Sequence, residues 1–194
     1  MERNSKNSQG FKLESQLREA YGKIVYTYTC HNKKATRLLK LNDNIKVWQI
    51  VLSALSAGGF ITTIIFNDTL VKIIGAVISF LLVIVNSYTK NFNLVGEANE
   101  HIKTANLLWK IREEYISLLI DFEILSVEEI MVKRDELQNR TFEVYSSSLS
   151  TDKKSYKEAQ KSLKTEEEQT FSEKEIDVML PSSIRRETRE FKEK

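Results

Sequence analysis

The chain has 194 residues, 41% of them hydrophobic, with 29 Lys/Arg against 27 Asp/Glu and a formal net charge of +2. This near balance conceals two unlike parts: residues 1–46 hold ten cations against four acids, and residues 89–194 hold eighteen against twenty-two. The basic excess directly precedes the most apolar stretch, so no direct binding of nucleic acid is expected, and the single cysteine excludes an internal disulfide and favours a reducing compartment.

Residues 1–10 (MERNSKNSQG) are polar, lack the apolar core of a cleavable signal, and read as a disordered tail. From 11 to 46, Leu17, Ile24, His31, Leu38 and Ile45 recur every seven residues, with Tyr21, Tyr28 and Ala35 four places after the first three. That pattern predicts one long amphipathic helix. Its cations Lys33, Lys34, Arg37, Lys40 and Lys46 lie where anionic headgroups would meet them, each gaining about 1 kcal/mol near such a surface.

Residues 47–66 (VWQIVLSALSAGGFITTIIF) carry no charge and would cover about 30 Å of hydrocarbon as a helix. Residues 67–69 read as an outer turn, and 70–88 (LVKIIGAVISFLLVIVNSY) as a second span, whose one charge, Lys72, is placed to snorkel to the interface. A hairpin this tight puts both flanks on one side. The cations before the first span, with Lys90 after the second, make that side cytoplasmic, and Trp48 and Tyr88 fall at the same inner boundary.

In the cytoplasmic region 89–180, Val95, Ile102, Trp109 and Ile116 repeat at seven-residue spacing beside Ala98, Ala105 and Leu119, a second seam to face the first. With no proline before residue 181, each spanning helix is expected to continue unbroken into this antiparallel pair. Ser126 with Glu129 predicts a capping box opening a third helix through Val127, Ile130, Met131, Arg134, Leu137, Thr141 and Val144. After a loop at 146–152, residues 153–168 read as a slightly buried helix with the stripe Tyr156, Ala159 and Leu163. Ser172 with Glu175 opens a short helix stopped by Pro181, and 181–194 is a polar tail. The expected fold is all-α: a two-span transmembrane hairpin whose helices extend into a cytoplasmic antiparallel helical bundle.

No phosphate loop, metal-spaced histidine pair or hydrolase elbow is present, so no catalytic residue, cofactor or metal site is assigned and an enzyme is not expected. Cys30 and His31 are neighbours on a helix, about 100° apart, and read as structural, as does His101. The informative polar residues lie inside the spans. Gln49, Ser53, Ser56, Phe60, Thr63 and Asn67 project within about 40° of one helical meridian. Lys72, Ser79, Val83, Asn86 and Lys90 form a weaker row on the second span. Two readings follow. In one, the rows bond helix to helix while Ala57, Gly58, Gly59 and Gly75 permit close packing. In the other, several hairpins assemble, the first row lines a water-filled path and Phe60 is a constriction; two spans alone enclose nothing, so this needs a homo-oligomer.

The stretch LREAYGKIVYTYTCHNKKATRLLKLNDNIKVWQIVLSALSAGGF, the second span, and the later KRDELQ and TFSEKEIDVMLP resemble the bacterial SLATT proteins over nearly the whole chain. The resemblance implies a membrane effector of prokaryotic conflict systems, including antiphage defence, in the inner membrane with both termini cytoplasmic. It implies as partner a nucleotide-second-messenger synthase with a sensor, or a reverse transcriptase, and activation that permeabilises the bilayer. Residues 171–181 are the candidate dock for such a partner. The competing expectation is a non-conducting membrane tether that recruits a cytoplasmic protein through its helices.

Overall fold

The computed structural model describes the backbone of residues 2–65 and 68–185, and the side chains of 9–62 and 68–185. Thr63 as a side chain, Asn67, and the tail beyond Arg185 lie outside these described residues. Six α-helices follow in order: α1 (Glu2–Ile65), α2 (Thr69–Asn91), α3 (Leu94–Ile120), α4 (Val127–Ser147), α5 (Lys153–Lys164) and α6 (Glu173–Met179). Single 3-10 turns sit at Asp121–Glu123 and Ser182–Ile184, and the described residues contain no strand.

The first helix is 64 residues long, about 95 Å at the helical rise. It begins at Glu2, so residues 2–10, expected as a tail, continue the helix; no proline interrupts them. Its seven-residue row runs from Leu17 to Gly59. Leu17, Ile24, His31 and Leu38 are buried, and Ile45, Leu52 and Gly59 carry the same seven-residue row on as half-buried positions. One continuous seam therefore serves both the polar and the apolar half of the helix.

The return path is interrupted, contrary to the expectation of an unbroken helix. α2 ends at Asn91, where the Phe92 N–H donates to the Tyr88 carbonyl at 3.0 Å and the two rings stack at 4.6 Å. Asn93 then caps α3, its side chain accepting from the Gly96 N–H at 2.9 Å. The half-buried row of α2 is Val71, Gly75, Ile78, Leu82, Val85 and Thr89. Unbroken, that row would continue at positions 92 and 96; it resumes at Leu94 and Ala98 instead. The two-residue break rotates the chain to a new face.

This rotation corrects the predicted downstream seam only in part: Ala98 and Ala105 are buried as expected, and Ile102, Ile116 and Leu119 are half-buried. Val95 and Trp109 are 37% and 47% exposed, whereas Leu94, Ala98, His101, Ala105, Leu108, Ile111, Tyr115 and Leu118 are buried. Apolar periodicity alone cannot distinguish two adjacent rows that both carry large side chains, and packing on α1 selects the row with alanines at the closest approach. Leu13, Leu17, Ile24, Leu108, Ile111, Tyr115, Leu118, Ile130 and Leu137 from α1, α3 and α4 form the larger core. Ala35, Leu38, Leu94 and Ala98 form a smaller one nearer the apolar segments.

α4 begins as the sequence pattern requires, with Ser126 and Glu129 in a reciprocal capping box, and its Arg140 pairs with Glu114 of α3. α5 ends at Lys164 rather than 168. Its buried face is Ser155, Ala159 and Ser162, all 0% exposed, while Tyr156 is 53% exposed. Of the expected stripe, Ala159 is fully buried, Leu163 half-buried and Tyr156 stacked on Tyr26 of α1, while the buried Ser155 and Ser162 lie outside that stripe. α6 carries the expected Ser172–Glu175 capping box and ends before Pro181.

Candidate functional site

The apolar half of α1 and the whole of α2 form an antiparallel hairpin in which no residue of α2 is buried. Large side chains face outward on all sides: Ile50 is 69% exposed and Phe80 66%. A continuous apolar surface of this extent is incompatible with water and matches hydrocarbon.

Polar groups cluster where the two helices meet. The Gln49 side-chain amide donates to Asn86 Oδ1 at 3.0 Å and to Thr89 Oγ1 at 3.1 Å. Two turns further along, the Ser56 and Ser79 hydroxyls lie 3.0 Å apart. Thr62 returns its hydroxyl to the Gly58 carbonyl at 2.9 Å, closing its own hydrogen-bonding demand within the helix. A notch of about 280 Å³ opens beside the serine pair, lined by Ser56, Gly59, Phe60, Lys72, Gly75 and Ser79.

Of the predicted first-helix row, the structure thus brings Gln49 and Ser56 onto the second helix and sets Phe60 at the rim of the notch, 68% exposed. Ser53 is exposed. On α2, Ser79 and Asn86 reach the seam from its margin, while Lys72, Val83 and Lys90 are exposed. The small residues behave differently from the close-packing reading within one chain. A Cβ added at Gly58, Gly59 or Gly75 would meet nothing within 4 Å, and Ala57 is exposed.

Two further clusters lie beyond the hairpin. Between the two cores, His31 Nδ1 and His101 Nδ1 are 2.9 Å apart, with the rings 2% and 0% exposed. One ring donates and the other accepts, so the accepting ring at least is neutral. Burial, helped by the neighbouring ring, pushes His31 down to about 4. Burial also lowers His101, against the pull of Glu97, whose carboxylate oxygen lies 3.9 Å from Nε2. The pair occupies matching positions of two seven-residue rows, Leu17–Ile24–His31–Leu38 and Leu94–His101–Leu108–Tyr115, which a reading of the correct α3 row reveals from sequence.

The second cluster has no such sequence signal. Lys33, Lys34 and Arg37 of α1 are paired with Glu168, Asp152 and Glu158, residues 115 or more positions away. These cations were expected at lipid headgroups. Instead Lys34 and Arg37 are only 19% and 24% exposed and face carboxylates, leaving Lys40 and Lys46 as the exposed cations next to the apolar segment.

A family model described as SMODS and SLOG-associating 2TM effector domain family 4 matches residues 13–175, a span that includes both apolar helices, the histidine pair and α5. No curated protein and no solved structure matches the chain.

Proposed function

Because the chain belongs to SMODS and SLOG-associating 2TM effector domain family 4, we propose that this two-span membrane effector of conflict systems acts by assembling hairpins into a pore across the inner membrane. The observation that carries the reading is a hairpin greasy on every outer face yet polar along one row. Lipid contacts the first surface, and water-filled paths are built from the second.

A lone hairpin encloses nothing, so the assembly is a homo-oligomer. Ser53 and Phe60, exposed beside the seam, carry the row outward to a neighbouring copy, with Phe60 as a constriction that gates by dewetting. Ala57 and Gly58, exposed and uncrowded, admit the neighbour's backbone. Both termini are cytoplasmic, because Lys40, Lys46 and Lys90 cluster at one end of the hairpin.

The pore stays closed until a partner, a nucleotide-second-messenger synthase with its sensor or a reverse transcriptase, engages the cytoplasmic helices. Residues 171–181 offer a dock: Phe171, Val178 and Met179 are each at least 60% exposed around a short capped helix. The signal must favour the open arrangement by about 5.5 kcal/mol to carry the population from 1:99 to 99:1.

Co-inducing the chain with its genomic neighbours and following a potential-sensitive dye tests this. Rapid depolarisation is expected, and unchanged potential under confirmed activation, with a strictly monomeric purified protein, sinks it. One observation favours the rival tether: Gln49 and Ser56 already find partners inside the same hairpin, so those contacts need no assembly to satisfy them.

A further inference from the structure

Residues 152–169 of the segment 148–170 contact α1 mostly away from its α3-facing row, with Lys34 shared between Asp152 and Glu97 of α3. Tyr26 stacks on Tyr156 at 5.8 Å, Thr29 accepts from the Gln169 amide at 2.8 Å, and Lys33 meets Glu168 at 2.8 Å. Arg37 meets Asp152 at 2.6 Å and Glu158 at 2.7 Å, and Lys34 meets Asp152 at 3.2 Å. On a helical projection, residues 26, 29, 33, 34 and 37 share one arc, while Ile24, His31, Ala35 and Leu38 face α3 on the other side.

The attachment is ionic rather than apolar. The fully buried residues of α5 are Ser155, Ala159 and Ser162, so apart from the Tyr156 ring on Tyr26 and the half-buried Leu163 little apolar area leaves water there. What holds the segment is a row of half-buried ion pairs, stronger than surface pairs but dependent on charge and screening. Asp152 is its hub, receiving Lys34 and Arg37 while capping α5 through the Ser155 N–H at 2.7 Å.

The helix beneath is continuous into the membrane. Arg37 precedes the start of the apolar segment at Val47 by ten residues, about 15 Å of unbroken helix, so a clamp here limits how far the spanning half can turn. At that distance Lys33, Lys34 and Arg37 stand clear of the headgroup layer, which leaves carboxylates as the anions within reach. We propose that residues 148–170 are a releasable strap that locks α1 in the closed arrangement, and that its detachment from Lys33, Lys34 and Arg37 is the regulatory step of the pore. This rests on the pore reading above.

Cys30, the chain's one thiol, lies within the strapped arc and is 5% exposed, so its reaction with N-ethylmaleimide reports strap release in the full-length protein in native membranes. Asp152→Asn with Glu158→Gln removes the charges while keeping a capping side chain, and is expected to raise the labelling rate about tenfold. Raising salt from about 0.1 M to about 1 M, which shortens the screening length from about 10 Å to about 3 Å, should raise it in the unaltered protein. Lys33→Glu should behave like the first variant, and Lys33→Glu with Glu168→Lys should restore slow labelling, which a misfolded chain would not. Cells expressing the released variants should depolarise without a trigger. Unmoved labelling overturns the strap. Fast labelling with intact potential, in cells where the triggered unaltered protein does depolarise, overturns its locking role and leaves the pore reading standing. If the triggered unaltered protein is itself silent, the pore reading and the lock fall together.

Discussion

At the scale of single residues, the histidine pair is where chemistry and packing meet. Above about pH 6.5 both folded and unfolded imidazoles are neutral and the pair contributes fully. As pH falls from 6.5 toward about 4, the unfolded rings take protons that the buried His31 refuses, so stability falls across that window and levels off below it. Melting of the detergent-solubilised protein should show this loss, and it should vanish in His31→Leu/His101→Leu. His31→Leu alone strands the His101 ring, whose Nε2 already has no hydrogen-bond partner among the described residues, and should cost about 1–3 kcal/mol. The double substitution should recover most of that cost, and a purely additive result would show that the rings do not bond. Asp152 and Glu168 lose their contribution in more acid solution. Burial pushes the Asp152 carboxyl up, but Ser155, Lys34 and Arg37 outweigh it and hold it well below the carboxylate range. Lys33 and Ser162 lower Glu168.

At the scale of elements, the break between α2 and α3 sets which face of the returning chain meets α1. The Asn93 cap and Gly96 are coupled: a Cβ on Gly96 would sit 2.3 Å from the Asn93 amide nitrogen, displacing the side chain that accepts from the Gly96 N–H. Asn93→Ala should cost about 1 kcal/mol by loss of the cap. Gly96→Ala should be near neutral, because about 1 kcal/mol of helix propensity offsets the disturbed cap. In the Asn93→Ala background the same change should stabilise by about 1 kcal/mol, since no amide remains to collide. Denaturant midpoints of the four proteins complete the cycle, and equal effects of Gly96→Ala in both backgrounds would disprove the coupling.

At the scale of the whole molecule, one uninterrupted α1 joins the strapped bundle to the membrane hairpin. Exchanging residues 47–88 for an unrelated two-span hairpin separates the functional readings: a tether keeps its activity, and a pore loses depolarisation while still inserting. The all-α class, the two apolar segments, the long first helix and the capped starts of α4 and α6 were all legible in the amino-acid sequence, because uncharged length, seven-residue spacing and Ser-x-x-Glu boxes are local properties. The sequence also marked Gln49, Ser56, Ser79 and Asn86 as polar where polarity is costly, without saying which of them would meet. The row of α3 that packs on α1 was settled by folding alone, since the two non-helical residues at 92–93 turn the helix by an amount no periodicity records. The same holds for the destination of Lys33, Lys34 and Arg37. A cation beside an apolar segment is drawn to any anion within reach, and apart from Glu97 beside Lys34 the carboxylates that reach these three lie more than a hundred residues away in the chain and are brought beside them only by folding.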